Sequence, residues 1–284
     1  MERLQEALAR AREQRRHSER ATPGQADAAT PEKERPAPAR QAPAGPRAQA
    51  RWEDLAPLQI RPVALKRHRV LAHEGGRDAA PYDLLRTKIM YQAKTNNWRR
   101  IAIVSPDPAC GKTTTLANLA FSFERQRDMR VMIIDLDLRR PMLQAVLSQD
   151  CDHSMADVLE RRLTFAEHGR RLGARVALGL NGSHAPKPAE LLLSQQSREV
   201  LAQIEADYAP DLMLFDISPL SVSDDNIAFL QNVDCAVIVA AAEETPVSRI
   251  DQAERQVAEL TNVMGVVLNK CRYEDAADSH GYYY

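Results

Sequence analysis

The loop at residues 106–113 has the residue types needed to bind a polyphosphate. It ends in Gly-Lys-Thr, follows an apolar run and precedes a helical pattern. This order directs backbone N–H groups and a helix N-terminus at phosphate oxygens. Lys112 is expected to pair with the β- and γ-phosphates, and Thr113 to bind Mg²⁺ through its hydroxyl. The nucleotide-binding residues predicted in this loop are Ala109, Cys110, Gly111, Lys112, Thr113 and Thr114.

Two positions of the loop depart from the usual pattern G-x-x-x-x-G-K-[ST]. Pro106 occupies the first glycine position, and Ala109 stands where many such loops have another glycine. If the backbone at Ala109 requires a positive φ, the side chain costs about 1–2 kcal/mol. Ala109 is therefore a candidate site of backbone strain.

Carboxylates stand at the ends of two further apolar runs. Asp135 and Asp137 end V-M-I-I-D-L-D, and side chains two apart on a strand point the same way. Beside a polyphosphate they can hold Mg²⁺, directly or through water, and one can accept a proton from an attacking hydroxyl. Capping of the next helix is the alternative interpretation. Asp216 ends L-M-L-F-D and fits a Walker B carboxylate.

Tyrosine is concentrated at the C-terminal end of the sequence. The last 12 residues contain four of the seven tyrosines: Tyr273, Tyr282, Tyr283 and Tyr284. They follow no helical or strand periodicity, and three interpretations are open: an exposed aromatic tail, an aromatic cover for a groove, or a cluster of phosphate acceptors. A tyrosine hydroxyl has a pKa near 10, so a carboxylate base would help it attack a phosphate.

The elements that must position these residues alternate along the chain. Strands are predicted at residues 100–105, 131–137, 175–180, 211–216, 234–240 and 263–269, with helices at 112–126, 153–168, 188–206, 223–232 and 245–260. Apolar strands alternating with helices predict an α/β fold, a P-loop NTPase with a doubly wound, mainly parallel sheet and helices on both faces. Ligands then bind beyond the carboxyl ends of the strands, where the polar residues fall.

Composition divides the chain into three parts. Residues 1–60 hold seven of the 17 prolines and are predicted to form an N-terminal helix, at 2–17, and a disordered Ala/Pro-rich linker that runs from about residue 21 to 51. That helix is either solvated or a docking element for a partner. Residues 61–270 form the predicted P-loop domain, and residues 271–284 the flexible tyrosine-rich tail.

The overall composition of the chain excludes several classes of protein. Lys plus Arg total 38 and Asp plus Glu total 39, which argues against a dedicated nucleic-acid binder. Four cysteines without CxxC spacing suit a reducing compartment. The longest apolar run, residues 235–242, is far below the roughly 20 residues of a spanning helix, and the N-terminus lacks a signal-peptide core. We expect a cytoplasmic protein.

The basic run K-R-H-R, residues 66–69, could face anionic lipid or a partner, or be a solvated charge run.

The motifs together resemble the cytoplasmic domain of bacterial tyrosine autokinases (BY-kinases) of exopolysaccharide and capsule systems. The similarity runs from about residue 60 to the C-terminus. V-S-P-D-P-A-C-G-K-T-T resembles their Walker A, I-I-D-L-D-L-R-R-P their Walker A′ and L-F-D-I-S-P-L their Walker B. K-P-A-E-L-L, residues 187–192, is similar to an N-P-x-E-L-L motif with Lys187 in place of Asn. The N-terminal L-Q-E-A-L-A-R-A-R-E resembles the subgroup found with exosortase-type export loci.

The resemblance implies Mg²⁺- and ATP-dependent phosphorylation of the terminal tyrosines, usually between subunits. It implies that Lys112 and Thr113 contact phosphate and Mg²⁺ and that Asp135 and Asp216 organise the metal. It places Asn269 near the adenine. Asp137 is our candidate for the hydroxyl base. The implied partners are a membrane-embedded activator of the chain-length-regulator type on a separate chain, which recruits the kinase to the inner face of the membrane, and a cognate tyrosine phosphatase.

Two departures keep other functions open. Relatives assemble rings through E-x-x-R-x-x-R, whereas the matching positions here are Ala80, Asp83 and Arg86, so the mode of self-association stays open. P-loop ATPases of the ParA/MinD kind carry a second lysine at the position of Asp107. Its absence and the tyrosine tail favour the kinase. A nucleotide-binding, non-catalytic scaffold of polysaccharide synthesis is the third hypothesis.

Overall fold

The computed structural model describes residues 46–222 and 224–271. The predicted helix at 2–17, most of the predicted linker and the tyrosine tail beyond residue 271 lie outside these ranges. The strands are β1 (Ala56–Pro57), β2 (Arg100–Val104), β3 (Val131–Asp135), β4 (Arg170–Leu172), β5 (Val176–Gly179), β6 (Leu212–Asp216), β7 (Cys235–Ala241) and β8 (Asn262–Asn269).

The helices connect these strands in the order that the alternating pattern predicts. They are α1 (Pro46–Asp54), α2 (Pro62–Arg67), α3 (Ala80–Asn96), α4 (Lys112–Glu124), α5 (Leu143–Val146), α6 (Met155–Leu159), α7 (Phe165–His168), α8 (Pro188–Leu193), α9 (Gln195–Tyr208), α10 (Asp225–Leu230) and α11 (Val247–Ala258). Two short 3-10 helices, Leu71–Glu74 and Arg77–Ala79, join α2 to α3.

One eight-stranded sheet runs through the fold in the order β1-β4-β5-β3-β6-β2-β7-β8. All neighbouring strands are parallel except β4 and β5, which are antiparallel. The central strands β3, β6 and β7 are buried on both faces. The predicted α/β fold, with its mainly parallel sheet and helices on both sides, is confirmed.

Alternate residues of the strands feed two hydrophobic layers, one on each face of the sheet. In β2, Ile101 and Ile103 join the layer that includes α3 and α4, whereas Ala102 and Val104 join the layer that includes α9 and α10. Continuous apolar strands are required because both faces are covered. The carboxyl ends of β2, β3 and β6 therefore end together at one edge of a rigid, dry sheet.

The N-terminal part of this core differs from the prediction. Linker character was predicted to about residue 51 and a domain from residue 61, but α1 and β1 precede that boundary and pack on the sheet. Trp52 is 3% exposed, and its indole N–H donates to the carbonyl of Tyr208 at 2.7 Å. Leu55 and Leu58 are buried as well. The Pro- and Ala-rich composition predicts a linker in this segment. Three large apolar side chains, those of Trp52, Leu55 and Leu58, nevertheless anchor it to partners that are far away in sequence.

Two predicted helices are each broken into two. The helix predicted at 188–206 divides at Ser194, which is extended and accepts a hydrogen bond from the N–H of Ser197 at 3.0 Å as the N-cap of α9. The helix predicted at 153–168 divides before Thr164, which caps α7 in a capping box with Glu167. Polar capping residues inside a helical pattern therefore mark these breaks.

Candidate functional site

The phosphate-binding loop predicted from the sequence joins β2 to α4 and has a tightly constrained backbone. Gly111 has a φ of 90°, and a Cβ there would lie 2.1 Å from Nδ2 of Asn269. The same Nδ2 donates to the carbonyl of Cys110 at 2.9 Å. Glycine is favoured at this position because a φ of 90° strains any residue with a side chain, and the Asn269 side chain would also have to move to admit one.

Ala109 adopts a left-handed backbone conformation, which is the condition under which we predict strain at this residue. Its φ is 63°, a region that favours glycine over residues with a Cβ. The loop therefore stores backbone strain immediately before Cys110, whose thiol is buried 3.6 Å from the hydroxyl of Thr245.

Lys112 lies at the start of α4 and points at two carboxylates. Its Nζ donates to Oδ1 of Asp216 at 3.0 Å and to Oδ2 of Asp137 at 3.2 Å. The side chain is 7% exposed. Burial opposes the charge of the ammonium, but Asp216 and Asp137 outweigh it and raise the pKa of Lys112 above its ordinary value. Lys112 is therefore a fixed positive charge at the edge of the sheet.

Thr113 and Asp216 form a second close pair. The Thr113 hydroxyl donates to Oδ2 of Asp216 at 2.7 Å. Asp216 is fully buried at the end of β6, and burial raises its pKa, although Lys112 and Thr113 oppose the shift. Asp135, at the end of neighbouring β3, is also fully buried, and burial together with Asp216 raises its pKa well above the usual range.

This donor set fits Mg²⁺, because a hydroxyl and carboxylates are the hard oxygen ligands that the ion prefers. Thr113, Asp135 and Asp216 are the residues that would hold it. In the ranges that the structure describes, no three carboxylate, imidazole or thiol side chains are grouped as a self-sufficient metal site. That is compatible with Mg²⁺, which takes most of its ligands from phosphates and water.

Asp137 is held from several sides. Its Oδ1 accepts from the Ser218 hydroxyl and from the N–H of Arg140, each at 3.1 Å. Ser218 lies 3.4 Å from Oδ2 of Asp225, which in turn accepts from Nε of Arg139 at 2.6 Å. Sequence reasoning did not single out this chain of contacts. Its one signal was the position of Ser218, two residues after Asp216.

A further contact fixes the opposite side of the loop. The guanidinium of Arg249, on α11, pairs with both carboxylate oxygens of Asp107 at 2.5 and 3.3 Å. This bond lowers the pKa of Asp107. The pair was missed because the two residues are 142 positions apart and follow no pattern.

The structure thus brings together Lys112, Thr113, Asp135, Asp137 and Asp216, with Asn269 on the backbone of the loop. Thr114 lies in the first turn of α4, where its carbonyl accepts from Asn118 at 2.9 Å. The predicted phosphate acceptors Tyr273, Tyr282, Tyr283 and Tyr284 lie outside the residues that the structure describes.

The positions that match the ring motif make contacts within the chain. Arg86 of α3 donates to the carbonyl of Ser122 at 2.7 Å, and Asp83 accepts from Arg125 at 2.6 Å. Burial opposes the charge of Asp83, but hydrogen bonds from the Ser122 hydroxyl and Arg125, together with the charge of Arg86, lower its pKa. Both side chains therefore tie α3 to α4.

Comparison with known protein families matches residues 101–281 to the CobQ/CobB/MinD/ParA nucleotide binding domain. The tyrosine-protein kinase YwqD of Bacillus subtilis is 29% identical over 206 residues, which are 71% of this chain and 84% of that protein. The putative tyrosine-protein kinase CapB of Staphylococcus aureus is 25% identical over 202 residues, 70% of this chain and 87% of that protein.

Solved structures show the same fold. The kinase domain of the Escherichia coli tyrosine kinase ETK is 23% identical and superposes with a TM-score of 0.63, over 74% of this chain and 82% of that one. The resemblance to bacterial tyrosine kinases predicted from the motifs is thus confirmed. No helix within the described ranges is long and apolar enough to span a bilayer.

Proposed function

The chain belongs to the family of CobQ/CobB/MinD/ParA nucleotide-binding domains, and from this premise we propose that it is an ATP-dependent protein tyrosine kinase. The observation that carries the proposal is the convergence of Lys112 on Asp137 and Asp216 at the carboxyl edge of the sheet. Similarity to YwqD and CapB favours tyrosine as the acceptor over the other reactions that the fold supports. The acceptors are Tyr273, Tyr282, Tyr283 and Tyr284 of its own tail.

The residues of the site divide the work of phosphoryl transfer. The backbone of the loop and the N-terminus of α4 bind the phosphates, and Lys112 balances the charge that develops on the transferred group. Asp137, held by Ser218, accepts the proton of the incoming tyrosine hydroxyl. Asn269 donates to the loop carbonyl of Cys110 and is the residue of this set that lies near the adenine.

Magnesium, when bound, neutralises phosphate charge and orients the transferred group. The Thr113 hydroxyl and the Asp216 carboxylate, 2.7 Å apart, would hold the ion together with Asp135, which pairs with Asp216 across neighbouring strands. Asp107 occupies the position of the second lysine of ParA/MinD-type ATPases and is paired with Arg249. The absence of a lysine at that position disfavours the positioning-ATPase alternative.

The physiological role that we propose is supported by the resemblance to bacterial tyrosine autokinases of exopolysaccharide and capsule systems. The kinase regulates synthesis and export of an exopolysaccharide or capsule. It works with a membrane-embedded activator of the chain-length-regulator type, which recruits it to the membrane, and with a phosphatase that resets the tail. Three phosphotyrosines add about −4.5 to −6 charges, which is enough to reverse electrostatic docking of the tail.

Phosphotyrosine formation tests the proposal. The purified full chain is incubated with Mg·ATP and probed with a phosphotyrosine antibody. Wild type gives a signal, whereas Lys112→Met and a variant with the four tail tyrosines changed to Phe give none. Tyr91→Phe, which removes a tyrosine that is 68% exposed on α3, is the matched control and keeps the signal. ADP release without phosphotyrosine would refute the kinase, and nucleotide binding with neither would establish the scaffold.

A mixing experiment then distinguishes transfer between chains from transfer within one chain. Lys112→Met retains the tail, and the tail variant retains the site, so together they contain one working copy of each. Restored phosphorylation of the Lys112→Met chain establishes transfer in trans. Silence of the mixture beside an active wild type establishes transfer in cis.

A further inference from the structure

The surface around α2 exposes aliphatic side chains on a well-anchored scaffold. Leu65, 1% exposed, points into the core, while Val63 on the opposite side of the helix is 79% exposed and Ile60 just before it is 46% exposed. Large aliphatic side chains grouped in water are a feature of interaction surfaces.

Residues 60–69, which include α2, are strongly basic. Arg61, Lys66, Arg67 and Arg69 are all exposed. Arg61 pairs with Asp150 at 3.2 Å and Lys66 with Glu74 at 4.0 Å, both in solvent, where such pairs contribute little. Within the part of the chain that the structure describes, no ion pair joins Arg67 or Arg69 to a carboxylate. Four cations against two carboxylates leave the patch with net positive charge.

The patch is held in a fixed shape. Asn118 of α4 donates to the carbonyl of Arg69 at 3.0 Å and accepts from the N–H of Ala72 at 2.9 Å. Val70, between them, is fully buried. The segment therefore presents a preformed surface, made of Ile60, Arg61, Val63, Lys66, Arg67 and Arg69 and called here the α2 surface.

We propose that the α2 surface binds the anionic face of a lipid bilayer directly. Basic side chains are attracted to anionic headgroups, and an apolar residue between them can enter the interface. Val63 and Arg67 are four residues apart and both lie opposite Leu65, so charge and apolar contact are available on one side of the helix. A nucleic acid would use the cations but not Ile60 and Val63. The contact is independent of any membrane partner and of kinase activity.

Vesicle sedimentation of the full chain tests this proposal. We expect binding to vesicles of phosphatidylcholine with about one third phosphatidylglycerol, weakened by added salt, and none to pure phosphatidylcholine. Each cation near an anionic surface changes the partition about fivefold, so Arg67→Gln/Arg69→Gln lowers binding more than tenfold. Val63→Thr, which keeps the shape but removes apolar surface, weakens binding without altering its salt dependence.

Arg161→Gln/Arg198→Gln is the matched control, because it removes two exposed cations of the opposite helical layer. It leaves vesicle binding unchanged. Equal binding by wild type and Arg67→Gln/Arg69→Gln would overturn the proposal. So would binding of an acidic polyglutamate peptide by the α2 surface without vesicle binding, which would assign the surface to a protein partner. Phosphotyrosine formation by all these variants stays as in wild type, so this test and that of the kinase fail separately.

Discussion

Ser218 places one hydroxyl between two carboxylates, those of Asp137 and Asp225. A hydroxyl has a single proton to donate, and Arg139 already neutralises Asp225. The Ser218 proton therefore goes to Asp137, and Ser218 acts as a positioning residue for the proposed base.

Ser218→Ala tests this positioning role. We expect kcat for tail phosphorylation to fall about fivefold, the effect of one hydrogen bond of about 1 kcal/mol, with the KM for ATP nearly unchanged. Steady-state kinetics with varied ATP measures both constants. Ser154→Ala, which also removes a buried hydroxyl but at the cap of α6, is the control and leaves kcat unchanged. A rise in KM with constant kcat would assign Ser218 to nucleotide binding instead.

Ala109→Gly relieves the strain in the loop. The left-handed conformation costs alanine about 1–2 kcal/mol, and the greater freedom of unfolded glycine returns part of that gain. We expect a net stabilisation of about 0.5–1 kcal/mol and a Tm higher by about 1–4 °C in differential scanning calorimetry. Ala117→Gly, in the interior of α4, is the control and lowers Tm. A fall in Tm with Ala109→Gly would contradict the strain.

The contacts of single residues were predictable to different degrees. Lys112 and Asp216 could be expected to meet because a P-loop and a parallel strand end at the same sheet edge. The bond of Asn269 to Cys110 spans 159 residues, and neither residue type nor spacing announces it. Such contacts depend on how β7 and β8 lie beside β2, which local pattern does not encode.

Among the helices and strands, α1 differs most from its prediction, because it begins in the predicted linker but packs in the core. Its Trp52 lies edge-on to Tyr208 of α9, with ring centroids 6.2 Å apart, and Arg130 covers its face at 5.6 Å. An aromatic that donates its indole N–H and is nearly fully buried belongs to the core. The predicted boundary at residue 60 therefore separates α1 from the layer that it completes.

Trp52→Ala should destabilise the whole domain. Removal of a buried tryptophan costs about 3–5 kcal/mol in free energy of unfolding. Urea titration followed by far-UV circular dichroism measures this as a lower midpoint with an unchanged slope. Tyr91→Ala removes an exposed aromatic and, as the control, changes the free energy by less than about 0.5 kcal/mol. Equal midpoints for wild type and Trp52→Ala would show that α1 does not contribute to the core.

Other strands were predictable from the sequence where every residue of the strand is buried. β3 and β6 consist of buried residues only, so their apolar runs were evident. β4 escaped prediction because Arg170–Leu172 is short, begins with two arginines and pairs antiparallel with β5, the only antiparallel pairing among the strands that the structure describes. Its strand character depends on β5 beside it, and no run of apolar residues announces it.

For the molecule as a whole, His168 links stability to pH. It is 6% exposed, its Nε2 lies 2.7 Å from the carbonyl of Leu180, and burial lowers its pKa below the usual value. The unfolded chain therefore takes up a proton more readily than the folded one. The contribution of this residue is complete above about pH 6.5 and is lost as the pH falls towards the folded-state value.

Unfolding in urea at pH 7.5 and pH 5.5 measures this linkage. We expect the loss of stability on acidification to be smaller in His168→Gln than in wild type. His184→Gln changes an exposed histidine and keeps the wild-type pH dependence. A wild-type slope in His168→Gln would exclude this residue as a source of the acid sensitivity.

The strand order also has a consequence for synthesis on the ribosome. The neighbours of β2 are β6 and β7, so neither edge of β2 can form its hydrogen bonds until residues 212–241 have been made. At about 5–20 residues per second, the interval is of the order of ten seconds. During it the nascent chain carries I-A-I-V, an apolar strand with no partner on either side. Such a segment is a natural target for the chaperones that meet a chain at the exit tunnel.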